Sequence, residues 1–420
     1  MSNSYQARPS RGQGQRSSGG GGRSSFGGGS RGGFGGGRSG GRGGSRKPRG
    51  QYIDPIRFVK AAQPVEMIAY ESKHQFIDFE VNDVIKQNLI AKGYVYPSAI
   101  QDQAIPEVLA GHDVIGLANT GTGKTAAFAV PVFHDLMNDP AKRALIIAPT
   151  RELAQQIEDE ARSIAKGSGL TGALLIGGTP MRPQLRDLSG KPRIVIGTPG
   201  RIKDHMERGT LDLSNFSVVV LDEVDRMLDM GFLPDVQTIL DALPKERQSL
   251  FFSATMEPRV SRLIDTFSND PVTISVKSGD TSANVHQDVV VFGSSHEKME
   301  KLHDILNTHD VTKVIIFDET QRSVERLGQE LSDRGFKADA IHGGKSQGQR
   351  QRALDRFKKS DVTVLVATDV AARGIDVKDI SHVINYTIPQ TYDDYTHRVG
   401  RAGRAGKTGY ALTFVGRDHL

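Results

Sequence analysis

The sequence contains no cysteine, which excludes disulfides and thiolate metal sites and suits a reducing compartment. No apolar run approaches the ~20 residues that a helix needs to span a bilayer. No apolar signal-peptide core follows Met1. Acidic residues are missing altogether from residues 1–50, which hold nine Arg and one Lys. That segment contributes +10 to a net charge of +5, so the rest of the chain carries −5. A nucleic-acid surface on the body must therefore be a local patch.

What is present is room for two domains plus extras in 420 residues. Residues 1–50 hold 19 of the 47 Gly, in repeated Arg-Gly-Gly and Phe-Gly-Gly steps. They lack the apolar side chains that offset chain entropy, which predicts a disordered tail. Its Arg residues attract phosphate, and Phe26 and Phe34 offer faces for base stacking. A coil of this length reaches on the order of 40 Å. The bland alternative is a passive solubilising linker. A transit peptide shares the Arg- and Ser-rich composition, but the Gly density opposes an amphipathic helix. Residues 51–75 form a connector, with Tyr52, Ile53, Ile56, Phe58 and Val59 as docking residues for an extension packed on the next domain.

The chemistry begins at residues 113–125, which read DVIGLANTGTGKT. A short apolar strand gives way to a Gly-rich turn and then to a helix-forming run, 126–137. Gly121 and Gly123 let the backbone point its N–H groups at phosphate oxygens, with Thr120 and Thr122 in the same turn. Lys124 would reach the β- and γ-phosphates, and the Thr125 hydroxyl would ligate Mg²⁺. The generic P-loop has Gly where this chain has Ala118. Residues 217–223 form a second strand, ending in Asp222 and Glu223. Asp222 can hold Mg²⁺ through water, and Glu223 can orient or deprotonate an attacking water. Read alone, the pair is an ordinary solvated strand end. Residues 397–404 place Arg401 and Arg404 at arginine-finger spacing, against the plainer reading of a surface basic patch.

Apolar runs alternate with helical segments at 144–148, 173–176, 194–196, 218–221 and 250–252. Continuous apolar strands of this kind predict a parallel sheet covered on both faces, with its functional residues beyond the strands' carboxyl ends. Residues 276–283 read as a linker. The alternation then restarts at 314–317, 338–341, 362–367, 382–384 and 410–414, without a second P-loop. The predicted fold is α/β. Residues 76–275 form the nucleotide-binding domain and residues 284–420 a related second domain.

Assembled in order, these residues resemble the DEAD-box RNA helicases of superfamily 2 over about residues 76–415. The resemblance implies two tandem RecA-like domains, ATP and Mg²⁺ as cofactors, and RNA as the partner. Phe76 and Gln101 look like the Q motif that recognises adenine. Pro149, Thr150, Arg151, Gly177, Gly178, Thr198, Pro199, Gly200 and Arg201 look like RNA-backbone motifs of the first domain. Gln347, Arg350, Thr368 and Asp369 are their counterparts in the second. Asp376 would meet the ribose. Asp225, Ser253, Thr255 and His397 would couple hydrolysis to strand separation. Three departures stand out: Val224 in place of the Ala of Asp-Glu-Ala-Asp, Tyr94 for a usual Phe, and Ala402 for a usual small hydroxyl residue.

The implied activity is ATP-dependent, local and non-processive RNA unwinding, and the lack of organellar or secretory signals points to the bacterial cytoplasm, away from membranes. An ATP-gated RNA clamp with little unwinding is the first alternative. The full set Lys124, Asp222, Glu223, Arg401 and Arg404 weighs against it. A DNA helicase of the same superfamily is the second, and Phe76 with Gln101 weighs against that.

Overall fold

The computed structural model describes residues 53–62, 70–119, 121–276, 284–372, 377, 379–403 and 407–419. The predicted tail, Thr120, Asp376 and Arg404 lie outside the described residues, as does most of the predicted linker.

Two parallel sheets organise residues 53–419. The first is built from β1 (Val114–Ala118), β2 (Ala144–Ile147), β3 (Gly172–Leu175), β4 (Ile194–Gly197), β5 (Val218–Asp222), β6 (Gln248–Ser253) and β7 (Val272–Val276). Its spatial order is β3-β4-β2-β5-β6-β1-β7. Around it lie α1 (Asp83–Ala91), α2 (Ala99–Leu109), α3 (Lys124–Asn138), α4 (Arg151–Ile164), α5 (Met181–Ser189), α6 (Pro199–Glu207), α7 (Val224–Asp229), α8 (Leu233–Asp241) and α9 (Pro258–Phe267). The second sheet contains β8 (Val285–Phe292), β9 (Val314–Phe317), β10 (Ala338–Ile341), β11 (Val364–Ala367), β12 (His382–Asn385) and β13 (Gly409–Gly416). Its order is β10-β11-β9-β12-β13-β8. Its helices are α10 (Ser295–Leu306), α11 (Gln321–Asp333), α12 (Gln347–Lys358), α13 (Asp369–Ala372) and α14 (Tyr392–Val399).

The continuous apolar runs follow from burial on both faces. Leu145 belongs to the core under one face of the first sheet, and Ile146, one residue on, to the core under the other. Ile315 and Ile316 divide in the same way between the two faces of the second sheet. Each such side chain contributes roughly 1.5–3 kcal/mol by leaving water. Among the described residues no helix is long and apolar enough to cross a membrane.

Two sequence expectations need correction. Val276 closes β7 and pairs with Ala118, so the strand runs one residue into the stretch expected as linker. The larger change concerns the connector, whose first half packs on the second sheet rather than on the domain that follows it. Asp54 caps a short 3₁₀ turn, Pro55–Phe58, by accepting from the Ile56 N–H at 3.0 Å. Phe58 is fully buried in the second sheet's core together with Ile53. Lys60 pairs with Gln287 of β8 in an antiparallel bridge. The second half, residues 70–75, docks on the first sheet's side. There the Asp102 carboxylate of α2 accepts from the Tyr70 hydroxyl at 2.7 Å and the Lys73 N–H at 2.8 Å.

Candidate active site and nucleic-acid interface

The turn after β1 needs glycine for a steric reason. Gly121 and Gly123 hold φ of 86° and 90°, in the left-handed region. A Cβ on Gly123 would overlap the Gln101 side chain. Gln101, at the start of α2, donates from Nε2 to the Gly123 carbonyl at 3.0 Å and accepts at Oε1 from the Ser98 N–H at 2.8 Å. The Ser98 hydroxyl donates to the Thr122 carbonyl at 2.7 Å. The amide expected to meet a base therefore also braces the phosphate-binding turn. It keeps one N–H and one lone pair to spare.

Lys124, Thr125, Gln101, Asp222 and Glu223 line a single cavity of about 720 Å³. This lies within the roughly 300–1,000 Å³ of small-molecule sites. Tyr96 and, from the second sheet's side, Lys358 also line it. Phe76 does not. It is buried in the first core between Phe79 and Tyr94, with ring centroids 5.9 and 5.4 Å away, so the ring expected to join Gln101 in recognising adenine does not reach the cavity wall.

β5 is buried throughout and delivers Asp222 to the cavity floor. Lys124 Nζ sits 3.8 Å from Asp222 Oδ1 and donates to the Ala118 carbonyl at 3.2 Å. Burial pushes the Asp222 carboxyl up to about 6, against the pull of the Lys124 charge. A carboxyl with a raised value binds its proton more tightly folded than unfolded. Its charged form therefore costs stability above about pH 6, and the cost vanishes below the unfolded-state value. Asp222 Oδ1 has no hydrogen-bond partner, although it is buried. An orphaned carboxylate oxygen in the cavity that Thr125 also lines makes a hard-oxygen donor set that fits Mg²⁺. Glu223 is held at φ 56° and ψ 54°, an uncommon conformation for a side-chain-bearing residue, with Oε2 3.2 Å from Arg226 Nη1. Val224 is fully buried in the core beneath this turn, so its extra methyls occupy space there rather than crowding the acids.

Asp225, Ser253 and Thr255 come together as one knot. The Asp225 carboxylate accepts from the Ala254 and Thr255 N–H groups at 3.0 and 2.9 Å and from the Thr255 hydroxyl at 3.2 Å. The Ser253 hydroxyl accepts from the Asp225 N–H and donates to the Thr255 carbonyl.

A second cavity, of about 460 Å³, is lined by Pro149, Thr150, Arg151, Gly177, Thr198, Gly200 and Arg201. Gly343, Arg350 and Val370 close it from the second sheet's side. The Arg151 guanidinium lies against Gly177 and Gly178, where any Cβ on Gly178 would overlap it. Pro199 is the buried first residue of α6. Gln347 and Arg350 turn to Glu152 at the start of α4, at 3.2 and 2.9 Å, forming a buried contact between the two sheets' elements. Glu152 carries this contact and was not among the predicted site residues. Its partners lie 195 and 198 positions away, beyond any local pattern.

In the second half, Thr368 begins the turn into α13 with its carbonyl accepting from the Ala372 N–H. Asp369 is engaged by the Arg398 fork at 2.5 and 2.6 Å. Arg398, missed by the sequence reading, is nearly fully buried and also donates to Asn385. His397 and Arg401 adjoin this pair, and Arg401 is buried. Neither lines the cavity that holds Lys124 and Asp222.

The family model for DEAD/DEAH box helicases matches residues 98–263, and that for the helicase conserved C-terminal domain matches residues 297–406. The chain belongs to the DEAD-box RNA helicase family. Both sheets are the RecA-like domains of that family. ATP-dependent RNA helicase CshA of Limosilactobacillus reuteri is 41% identical over 342 residues, covering 81% of this chain and 69% of that protein. DEAD-box ATP-dependent RNA helicase RhpA of Helicobacter pylori is 42% identical over 344 residues, covering 82% and 70%. Among solved structures, S. cerevisiae Dbp5 bound to RNA and ADP BeF3 matches with a TM-score of 0.71 at 27% identity, over 82% of this chain and 90% of that one. Mss116p bound to ssRNA and AMP-PNP matches with a TM-score of 0.72 at 29% identity, over 83% and 76%.

Proposed function

We propose that this DEAD-box helicase couples ATP binding and hydrolysis to local RNA unwinding through a site split between residues 76–276 and 284–420. The observation that carries the reading is the convergence of Lys124, Thr125, Asp222 and Glu223 on one cavity, while Arg401 is held outside it. The P-loop N–H groups and Lys124 hold the phosphates. Thr125 and Asp222 would hold Mg²⁺, which supplies charge neutralisation at the β- and γ-oxygens. Glu223 orients a water and takes its proton as the water oxygen bonds to the γ-phosphorus. The bridging P–O bond breaks and ADP leaves. Arg401, with Arg404, supplies positive charge to the γ-phosphoryl oxygens only after the second domain closes on the first. The Asp-Glu-Val-Asp sequence is an active variant of motif II in this reading, because Val224 packs downward into the core.

The second cavity is the RNA-backbone groove. Arg151, Gly177, Thr198 and Arg201 contact phosphate and sugar from one side, and residues near Gly343, Arg350 and Thr368 from the other. Such contacts read shape rather than sequence. ATP and RNA each favour the closed arrangement, so each raises the other's affinity. Asp376 completes the nucleotide site at the ribose.

The test is ATPase activity with single-stranded RNA against DNA of equal length. Stimulation by RNA alone supports the reading, and equal stimulation by DNA overturns the RNA assignment. Gln101→Ala is expected to weaken ATP binding by about tenfold. It removes both the group facing the base and the donor that holds the Gly123 carbonyl, a hydrogen bond of roughly 0.5–1.5 kcal/mol. Equal turnover of ATP and GTP by the unmodified protein would sink the adenine-reading role. Deleting residues 1–50 should weaken RNA binding and flatten its salt dependence, by about 0.7 in log–log slope per lost single-strand phosphate contact. ATP turnover at saturating RNA should stay nearly unchanged, and an unchanged slope would make the tail a passive linker.

A further inference from the structure

The half-connector docked on the second sheet touches both β8 and α14, the helix that leads into Arg401. The Phe58 ring packs on Tyr395 of α14 with centroids 4.7 Å apart. The Arg57 guanidinium lies 3.9 Å above the Tyr392 ring, one turn earlier on the same helix. Lys60 and Gln287 exchange both backbone hydrogen bonds, at 2.9 and 2.8 Å. The Gln287 side chain in turn accepts from the Tyr395 hydroxyl at 2.9 Å. β8 is thus bonded through its backbone to the N-terminal segment and through Gln287 to α14. Phe58 shares its core with Val399 and Ala402, which flank Arg401 in the chain.

We infer that residues 53–60 form a strap that positions α14, and through it Arg401, for ATP hydrolysis. The inference rests on the proposed role of Arg401. α14 has only eight residues, and Gly400 and Gly403 follow it. The Gly400, Arg401 and Ala402 N–H groups bond back to the Thr396, Arg398 and Val399 carbonyls, so the direction of Arg401 follows how α14 is seated. Buried aromatic contacts on Tyr395 and a cation–π contact on Tyr392 supply that seating from outside the second domain's own sequence.

The test uses the full chain carrying Phe58→Ala, Phe58→Leu, Arg57→Ala or Arg401→Ala. It measures single-turnover hydrolysis at saturating RNA, ATP affinity and thermal unfolding. Phe58→Ala should lower the hydrolysis rate by about 10- to 100-fold, the range expected when a catalytic group is misplaced by an ångström or less. ATP affinity should not move, because the phosphate-binding residues lie on the other sheet. Phe58→Leu should recover most of the rate. Arg57 is exposed, so Arg57→Ala should fold normally and show a smaller loss of the same sign. A lower melting temperature with wild-type hydrolysis below it would overturn the inference, leaving Phe58 as core filling only. Wild-type hydrolysis by Arg401→Ala would instead overturn the split-site reading beneath it. The two failures are therefore separable.

Discussion

Glu223→Gln is expected to bind ATP within a few-fold of the unmodified protein while hydrolysing it about 10²- to 10⁴-fold more slowly, the usual contribution of a positioned general base. The amide fills the same volume, and its oxygen can keep the place of Glu223 Oε2, 3.2 Å from Arg226 Nη1. It cannot take a proton from water. Asp222 is untouched, so the metal-binding oxygen remains. The variant should also stay on RNA longer, because ATP held unhydrolysed prolongs the state in which both ligands favour each other. Single-turnover hydrolysis and RNA dissociation, measured side by side, check both halves. Turnover within a few-fold of normal would mean that another group positions the water.

Arg401→Ala should cost more, roughly 10³- to 10⁵-fold in RNA-stimulated hydrolysis, the range for a guanidinium supplied to the transferring phosphoryl group. ATP affinity in the absence of RNA should barely change, since Arg401 does not line the cavity formed by Lys124, Asp222 and Glu223. Arg404→Ala should behave alike. Substituting Arg8 or Arg42 in the tail controls for lost positive charge and should leave the rate unaltered. If both finger variants hydrolyse ATP at the normal rate with RNA binding intact, these arginines are a surface patch and the split-site mechanism falls.

Much of this architecture was legible because its signals are local. β5 and β9 are runs of buried apolar residues that any window detects, and the phosphate-binding turn and the acids after β5 are each contiguous. β8 escaped notice for a physical reason. It is an edge strand that alternates buried Val285 and Gln287 with exposed His286 and Asp288, and so it lacks the continuous apolar character of its neighbours. Phe76 was misplaced because an aromatic residue bound for the core and one bound for a ligand look the same in sequence. The pairing of Asp369 with Arg398, 29 positions away, leaves no local trace in the sequence. The Glu152 contact with Arg350 is of the same kind, a pairing made by tertiary structure alone. Only the connector's first half departs from expectation, since residues 53–60 pack on the second sheet while residues 70–75 dock on the domain that follows them.

The docking of Phe58 on Tyr395 also orders events during synthesis. Phe58 leaves the ribosome early, but its partner is encoded about 340 residues later. At translation rates of about 5–20 residues per second, that interval is on the order of 20 to 70 s. The first sheet's strands are all made within it, so this sheet can assemble while Ile53 and Phe58 still lack the surface that buries them. Seating the N-terminal turn is then a final step of maturation, available only once α14 has been made. A chain interrupted before Tyr395 would keep its phosphate-binding turn and both acids after β5, yet would present two apolar side chains to the folding machinery of the cell. Ile53 and Phe58 thus mark whether α14 has arrived.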